Sequence, residues 1–84
     1  SKQFSSLGFE AVILYLEPNS KRDKVITDAF EFKYIISGKC FYVLGEEEVI
    51  LRKGDSIFFD GRLPHVPVNR SNKTCKMLVF YFFF

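Results

Sequence analysis

Tryptophan is absent from this 84-residue chain, histidine occurs once, at His65, and cysteine occurs twice, at Cys40 and Cys75. Two cysteines that form no C-x-x-C pair can build neither a disulfide framework nor a zinc module. They read as reduced thiols in a cytoplasmic protein. A single histidine makes a Cys–His dyad unsupported, and no phosphate-binding glycine loop, G-x-S-x-G elbow or H-E-x-x-H occurs. Charge of one sign is equally scarce. The formal net charge is +2, and the only run of like charge is acidic, at residues 46–48. Without a basic stripe, direct nucleic-acid binding by this segment is not expected. The longest apolar run, residues 77–84 (MLVFYFFF), is far short of the ~20 residues of a membrane helix. Residues 1–9 lack the apolar core of a signal peptide. No membrane partner is expected.

What is present is apolar and aromatic. Hydrophobic residues make up 48% of the chain, including 11 Phe and 4 Tyr, which is too many for disorder and ample for a core. No stretch has helical periodicity. Strand-forming runs recur instead, at residues 9–17 (FEAVILYLE), 30–36 (FEFKYII), 40–44 (CFYVL), 48–52 (EVILR), 56–59 (SIFF), 66–69 (VPVN) and 75–83 (CKMLVFYFF). Turn formers separate them: Pro18-Asn19, Ser37-Gly38, Gly45-Glu46 and Lys53-Gly54-Asp55. Residues 40–44 and 48–52 read as a hairpin. Short strands spaced by turns predict one all-β domain over residues 1–84, a small antiparallel β-barrel. The strand at 75–83 is too apolar to be left as an open edge, so it is expected to pair inside the barrel or pack in a homodimer. The aromatics Phe58, Phe59, Phe80 and Phe82 read first as core. The chain starts at Ser1 and stops within an apolar stretch, so it fits both a complete small protein and a fragment lacking an upstream domain.

His65, within GRLPHVPVN, reads either as a metal or ligand contact or as a lone polar residue in a turn. Gly54, His65 and Asn69 have the spacing of a motif written G-x5-P-x-G-x2-H-x3-N, although Asp60 and Arg62 stand at its proline and inner glycine. Glu31 and Gly38, in EFKYIISG, match the right half of H-x-H-x(3,4)-E-x6-G. On these residues the chain resembles the cupins, small β-barrels with a site in the barrel mouth. The phrase KGDSIFFDGRLPHVPVN is similar to the cupin domains found behind helix-turn-helix domains in bacterial transcription regulators.

The left half of the first motif departs from the family. Its histidine positions fall on Val25 and Thr27, or on Lys24 and Ile26. The resemblance implies three imidazoles and a carboxylate around a metal, whereas here only Glu31 and His65 remain. Two ligands make at best a weak divalent-metal site, so no cofactor and no catalytic residue is expected. The resemblance instead implies a non-catalytic, small-molecule-sensing and dimerising domain, its ligand pocket lined by His65, Glu31 and Thr27. The alternative is a small metal-dependent cupin enzyme, an isomerase or dioxygenase, with an unusual ligand set. Glu31 reads by itself as a partner of Lys33 or Lys39 at the surface; its apolar strand argues for burial, and the resemblance supplies His65 as a partner. Asn69 reads as an amide serving loop backbone, and Gly54 as a turn glycine with positive φ.

Overall fold

The computed structural model describes residues 8–20 and 22–84. Residues 1–7, within the segment read for a signal peptide, and Lys21 lie outside the described residues. Seven strands follow in order: β1 (Phe9–Leu16), β2 (Ala29–Ser37), β3 (Lys39–Leu44), β4 (Glu47–Arg52), β5 (Ser56–Asp60), β6 (His65–Val68) and β7 (Cys75–Phe83). They agree with the strand runs of the sequence to within one residue at every end. Gly45 (φ 61°) turns the β3–β4 hairpin, and Gly54 (φ 89°) takes the left-handed conformation expected of it.

The strands form a four-stranded sheet, β1-β7-β2-β5, and a three-stranded sheet, β4-β3-β6, with every named pairing antiparallel. The all-β antiparallel fold is as expected, but the barrel is not closed. The strand ladders stop at the edge strands β1 and β5 of one sheet and β4 and β6 of the other, with an isolated bridge between His65 and Val25 outside β6. Side chains as large as Tyr42 and Phe59 fill the space between the sheets, which keeps them apart as layers of a sandwich. With them in the core are Leu16, Ile35, Leu51, Met77, Val79 and the free thiols Cys40 and Cys75.

The apolar C-terminal strand is not an edge. β7 lies between β1 and β2, so both of its ladders are satisfied. Its alternation puts Cys75, Met77 and Val79 in the core and Phe80 and Phe82 on the outer face. The same alternation turns β2 inside out. Ala29, Glu31, Lys33 and Ile35 point inward and are buried, while Phe30, Phe32 and Tyr34 point outward. Of the four phenylalanines read as core, only Phe59 is buried; Phe58 is 60% exposed and Phe82 40%. Successive strand residues face opposite sides, so the register that places Glu31 inside necessarily places Phe30 and Phe32 outside. The outer rings stack across strands, Phe30 on Phe58 at 5.6 Å and Phe32 near Phe80 at 5.9 Å.

Candidate functional site

A strand residue followed two positions later by another on the same face puts both side chains side by side. On β2 these are Glu31 and Lys33, only 1% and 3% exposed, with Lys33 Nζ 2.7 Å from Glu31 Oε1. The contact is an ion pair off the hydrogen-bond direction, so Oε1 keeps an unfilled acceptor position. Lys33 is further held over the rings of Tyr42 (5.3 Å) and Tyr81 (5.6 Å), an aromatic cage around its ammonium.

His65, the first residue of β6, reaches the other carboxylate oxygen. Its Nε2 is 3.0 Å from Glu31 Oε2, and its Nδ1 is 2.8 Å from the Leu63 carbonyl. A carbonyl and an ionised carboxylate only accept, so both contacts are complete only with a hydrogen on each ring nitrogen. The ring is packed edge-on to Phe59, with centroids 4.9 Å apart. Thr27 completes the cluster by donating its hydroxyl to Glu31 Oε2.

The backbone explains how three distant segments meet. Val25 and His65 exchange two backbone hydrogen bonds of 2.9 Å, and the Thr27 N–H donates to the Gly61 carbonyl at 2.8 Å. Gly61 lies directly behind the cluster. A Cβ there would run into Thr27 Oγ1 and stand 2.6 Å from the Ala29 carbonyl oxygen. Hence the glycine stands at 61, one place before the motif's inner glycine position.

Burial pushes the Glu31 carboxyl up, but the contacts from His65, Lys33 and Thr27 outweigh it and hold it at about 2. Burial pulls the Lys33 ammonium below its ordinary value, and Glu31 opposes that shift. Tyr42 and Tyr81 are pushed up, first by burial and then by the Glu31 charge. Both stay neutral phenols.

The structure thus brings together the three predicted pocket residues, His65, Glu31 and Thr27. It adds two that sequence reasoning missed. Sequence alone offers Lys33 only as a surface partner of Glu31, and gives no expectation for Gly61. The i, i+2 spacing of Glu31 and Lys33 on a strand was the available signal for Lys33. Asn69 takes the expected backbone role: wholly buried, its Nδ2 donates to the carbonyls of Leu16 (2.9 Å) and Lys73 (2.8 Å), and its Oδ1 accepts from the Ser71 N–H and hydroxyl.

The donor set does not fit a transition-metal centre of the kind the resemblance implies. Such a centre needs several lone pairs converging on one open point. Here Thr27 occupies an imidazole position and gives its hydrogen to Glu31, His65 Nε2 is turned to the same carboxylate, and an ammonium sits against the remaining oxygen. Among the described residues no three His, Cys, Asp or Glu side chains converge.

The sequence model of the Cupin domain family matches residues 15–81. The chain is a cupin domain. Among solved structures, this cupin is similar to the cupin domain of an XRE family transcriptional regulator from Enterobacter cloacae, at a TM-score of 0.86 and 21% identity over 94% of this chain and 85% of that one. It is also similar to a sugar phosphate isomerase of the cupin superfamily from Silicibacter pomeroyi, at 0.75 and 25% identity over 89% of this chain and 50% of that one. A third likeness is to a variant of the salicylate 1,2-dioxygenase of Pseudoaminobacter salicylatoxidans, at 0.83 and 18% identity over 89% of this chain and 22% of that one. The cupin therefore spans half or less of those two enzymes. Curated proteins yield no match. No helix among the described residues is long and apolar enough to cross a membrane.

Proposed function

We propose that this cupin domain is a non-catalytic, cytoplasmic module that senses a small molecule and dimerises, the regulatory part of a transcription regulator. One observation carries the reading: β2 is turned inside out. Its charged residues face inward and are matched to one another, and its aromatic residues face outward. A carboxylate already engaged by His65, Lys33 and Thr27 is a poor catalytic centre but a sensitive one, because a polar ligand competes for those same contacts. In this reading an organic metabolite rests against Phe59, Tyr42 and Tyr81 and takes polar contacts from His65, Glu31 and Thr27.

The outward face of the larger sheet, where Phe30, Phe32, Phe58, Phe80 and Phe82 meet, is a contiguous apolar surface of the kind that marks an interface. We assign it to a second copy of the chain. A ligand that displaces these packed side chains to reach the cluster shifts the strands that carry this face and so biases the dimer. A DNA-binding domain outside these residues reads that bias, and this segment itself contacts neither nucleic acid nor membrane. The likeness to a regulator's cupin domain supports the reading at the level of the fold. Sedimentation equilibrium tests it: a dimer that dissociates on Phe58→Glu is expected, and a monomer at all concentrations overturns it.

A metal-dependent isomerase or dioxygenase is the second reading, favoured at the level of the fold by the likeness to a sugar phosphate isomerase and a dioxygenase. Elemental analysis of protein purified without chelator separates the two. A stoichiometric transition metal that is lost in His65→Ala selects the enzyme.

A further inference from the structure

At the other end of β2, about 20 Å along the strand from Glu31, the turns between strands enclose a groove of about 630 Å³. It is lined by residues 38–41, 52–53 and 70–73. Five cations, Lys39, Arg52, Lys53, Arg70 and Lys73, are among the lining residues, and no acid is. These residues are scattered in the sequence of a chain whose formal net charge is only +2.

The cations are differently held. Arg70 is fixed: it pairs both nitrogens with Glu48 at 3.0 Å, and its guanidinium lies 4.4 Å over the Phe41 ring. Lys39, Arg52, Lys53 and Lys73 have no ion-pair partner among the described residues. Asp55, three residues on, accepts from the Arg52 backbone N–H at 2.8 Å and forms no ion pair with its guanidinium. Lys39 and Arg52 also stand directly opposite each other in the β3–β4 register. Like charges at such a cross-strand position destabilise the pair. A residue chosen for the hairpin alone would be of opposite sign.

We propose that this groove binds a small phosphorylated ligand, at a site separate from the His65 cluster. A phosphoryl group carries nearly two charges and three acceptor oxygens on one centre, so several long side chains can converge on it; a carboxylate offers one charge and two oxygens. The volume is that of a small-molecule site, and the Phe41 side gives an apolar wall for an organic portion. The bound anion offsets the repulsion between Lys39 and Arg52. This inference is independent of the sensing reading above.

Titration of the intact chain with inorganic pyrophosphate, followed calorimetrically and by amide chemical shifts, tests it. Saturable binding is expected, with shifts concentrated at residues 38–41 and 70–73 and a rise in melting temperature. Lys39→Glu should weaken binding at least tenfold, yet melt at or above the wild-type temperature without ligand, because it replaces a repulsive cross-strand pair with an attractive one. Absence of saturable binding, undiminished binding by Lys39→Glu, or a lower melting temperature of that variant overturns the proposal. So does equal binding of citrate, or preferential binding of a double-stranded DNA oligonucleotide.

Discussion

Lys33 and Glu31 lie side by side on the inner face of β2, Nζ 2.7 Å from Oε1, with both side chains almost wholly buried. Two charges taken out of water cost several kcal/mol each, and their mutual attraction offsets that only if the remaining donors and acceptors are met. Here the second carboxylate oxygen is met by His65 and Thr27, and the ammonium by two tyrosine rings. The partners are unequal as a result. Glu31 has three polar contacts, whereas Lys33 has one.

Glu31→Gln therefore strands a buried ammonium and should cost about 3–5 kcal/mol in urea unfolding. Lys33→Met leaves the carboxylate with His65 and Thr27 and should cost clearly less. The double variant should be more stable than Glu31→Gln alone. Additive costs in this cycle would mean that the two side chains do not interact.

Acid should weaken the fold through the same carboxylate. The Glu31 carboxyl sits at about 2 in the folded protein against an ordinary 4.5. A depressed carboxyl contributes stability in full above the unfolded value and loses it as pH falls from about 4.5 towards about 2. The urea midpoint of the wild type should drop across that window. In Glu31→Gln the slope there should be flatter, and an unchanged slope would remove Glu31 as its source.

Asn69 ties β1 to the β6–β7 loop through the Leu16 and Lys73 carbonyls. Asn69→Ala leaves the buried Leu16 carbonyl and the Ser71 N–H without their partner, while the Lys73 carbonyl still accepts from the Ser71 hydroxyl, a loss on the order of 3 kcal/mol. Asn69→Asp keeps the acceptor for Ser71 but loses both donors, so it should recover little of that loss. Chemical denaturation of the two variants measures the difference.

Phe58 is 60% exposed, so its removal should barely disturb a monomer. Phe58→Glu should change the folding stability of the isolated chain by no more than about 1 kcal/mol. Its self-association should weaken at least tenfold. Equal association of both proteins in sedimentation would exclude the outer aromatic face from the interface.

The strand order along the chain, the β3–β4 hairpin, the turn role of Gly54 and the backbone role of Asn69 were all legible in the sequence. Each depends on neighbours within a few residues: β-forming side chains, turn formers and motif spacing. The meeting of His65 with Glu31 was legible through resemblance. The open edges of the sandwich were not, since closure depends on pairings between distant strands.

Sequence by itself determined that this chain is an all-β cupin domain, and the resemblance it carries named His65, Glu31 and Thr27 as residues to look for together. Tertiary structure decided which face of each strand is inside. Alternation of side chains is a local property, but its phase is set by neighbouring strands, and here that phase buries Glu31 and Lys33 while exposing Phe30 and Phe58. It also gathered Lys39, Arg52, Lys53, Arg70 and Lys73 around one groove. Charge density in space depends on how distant turns come together, which net charge and spacing along the chain do not contain.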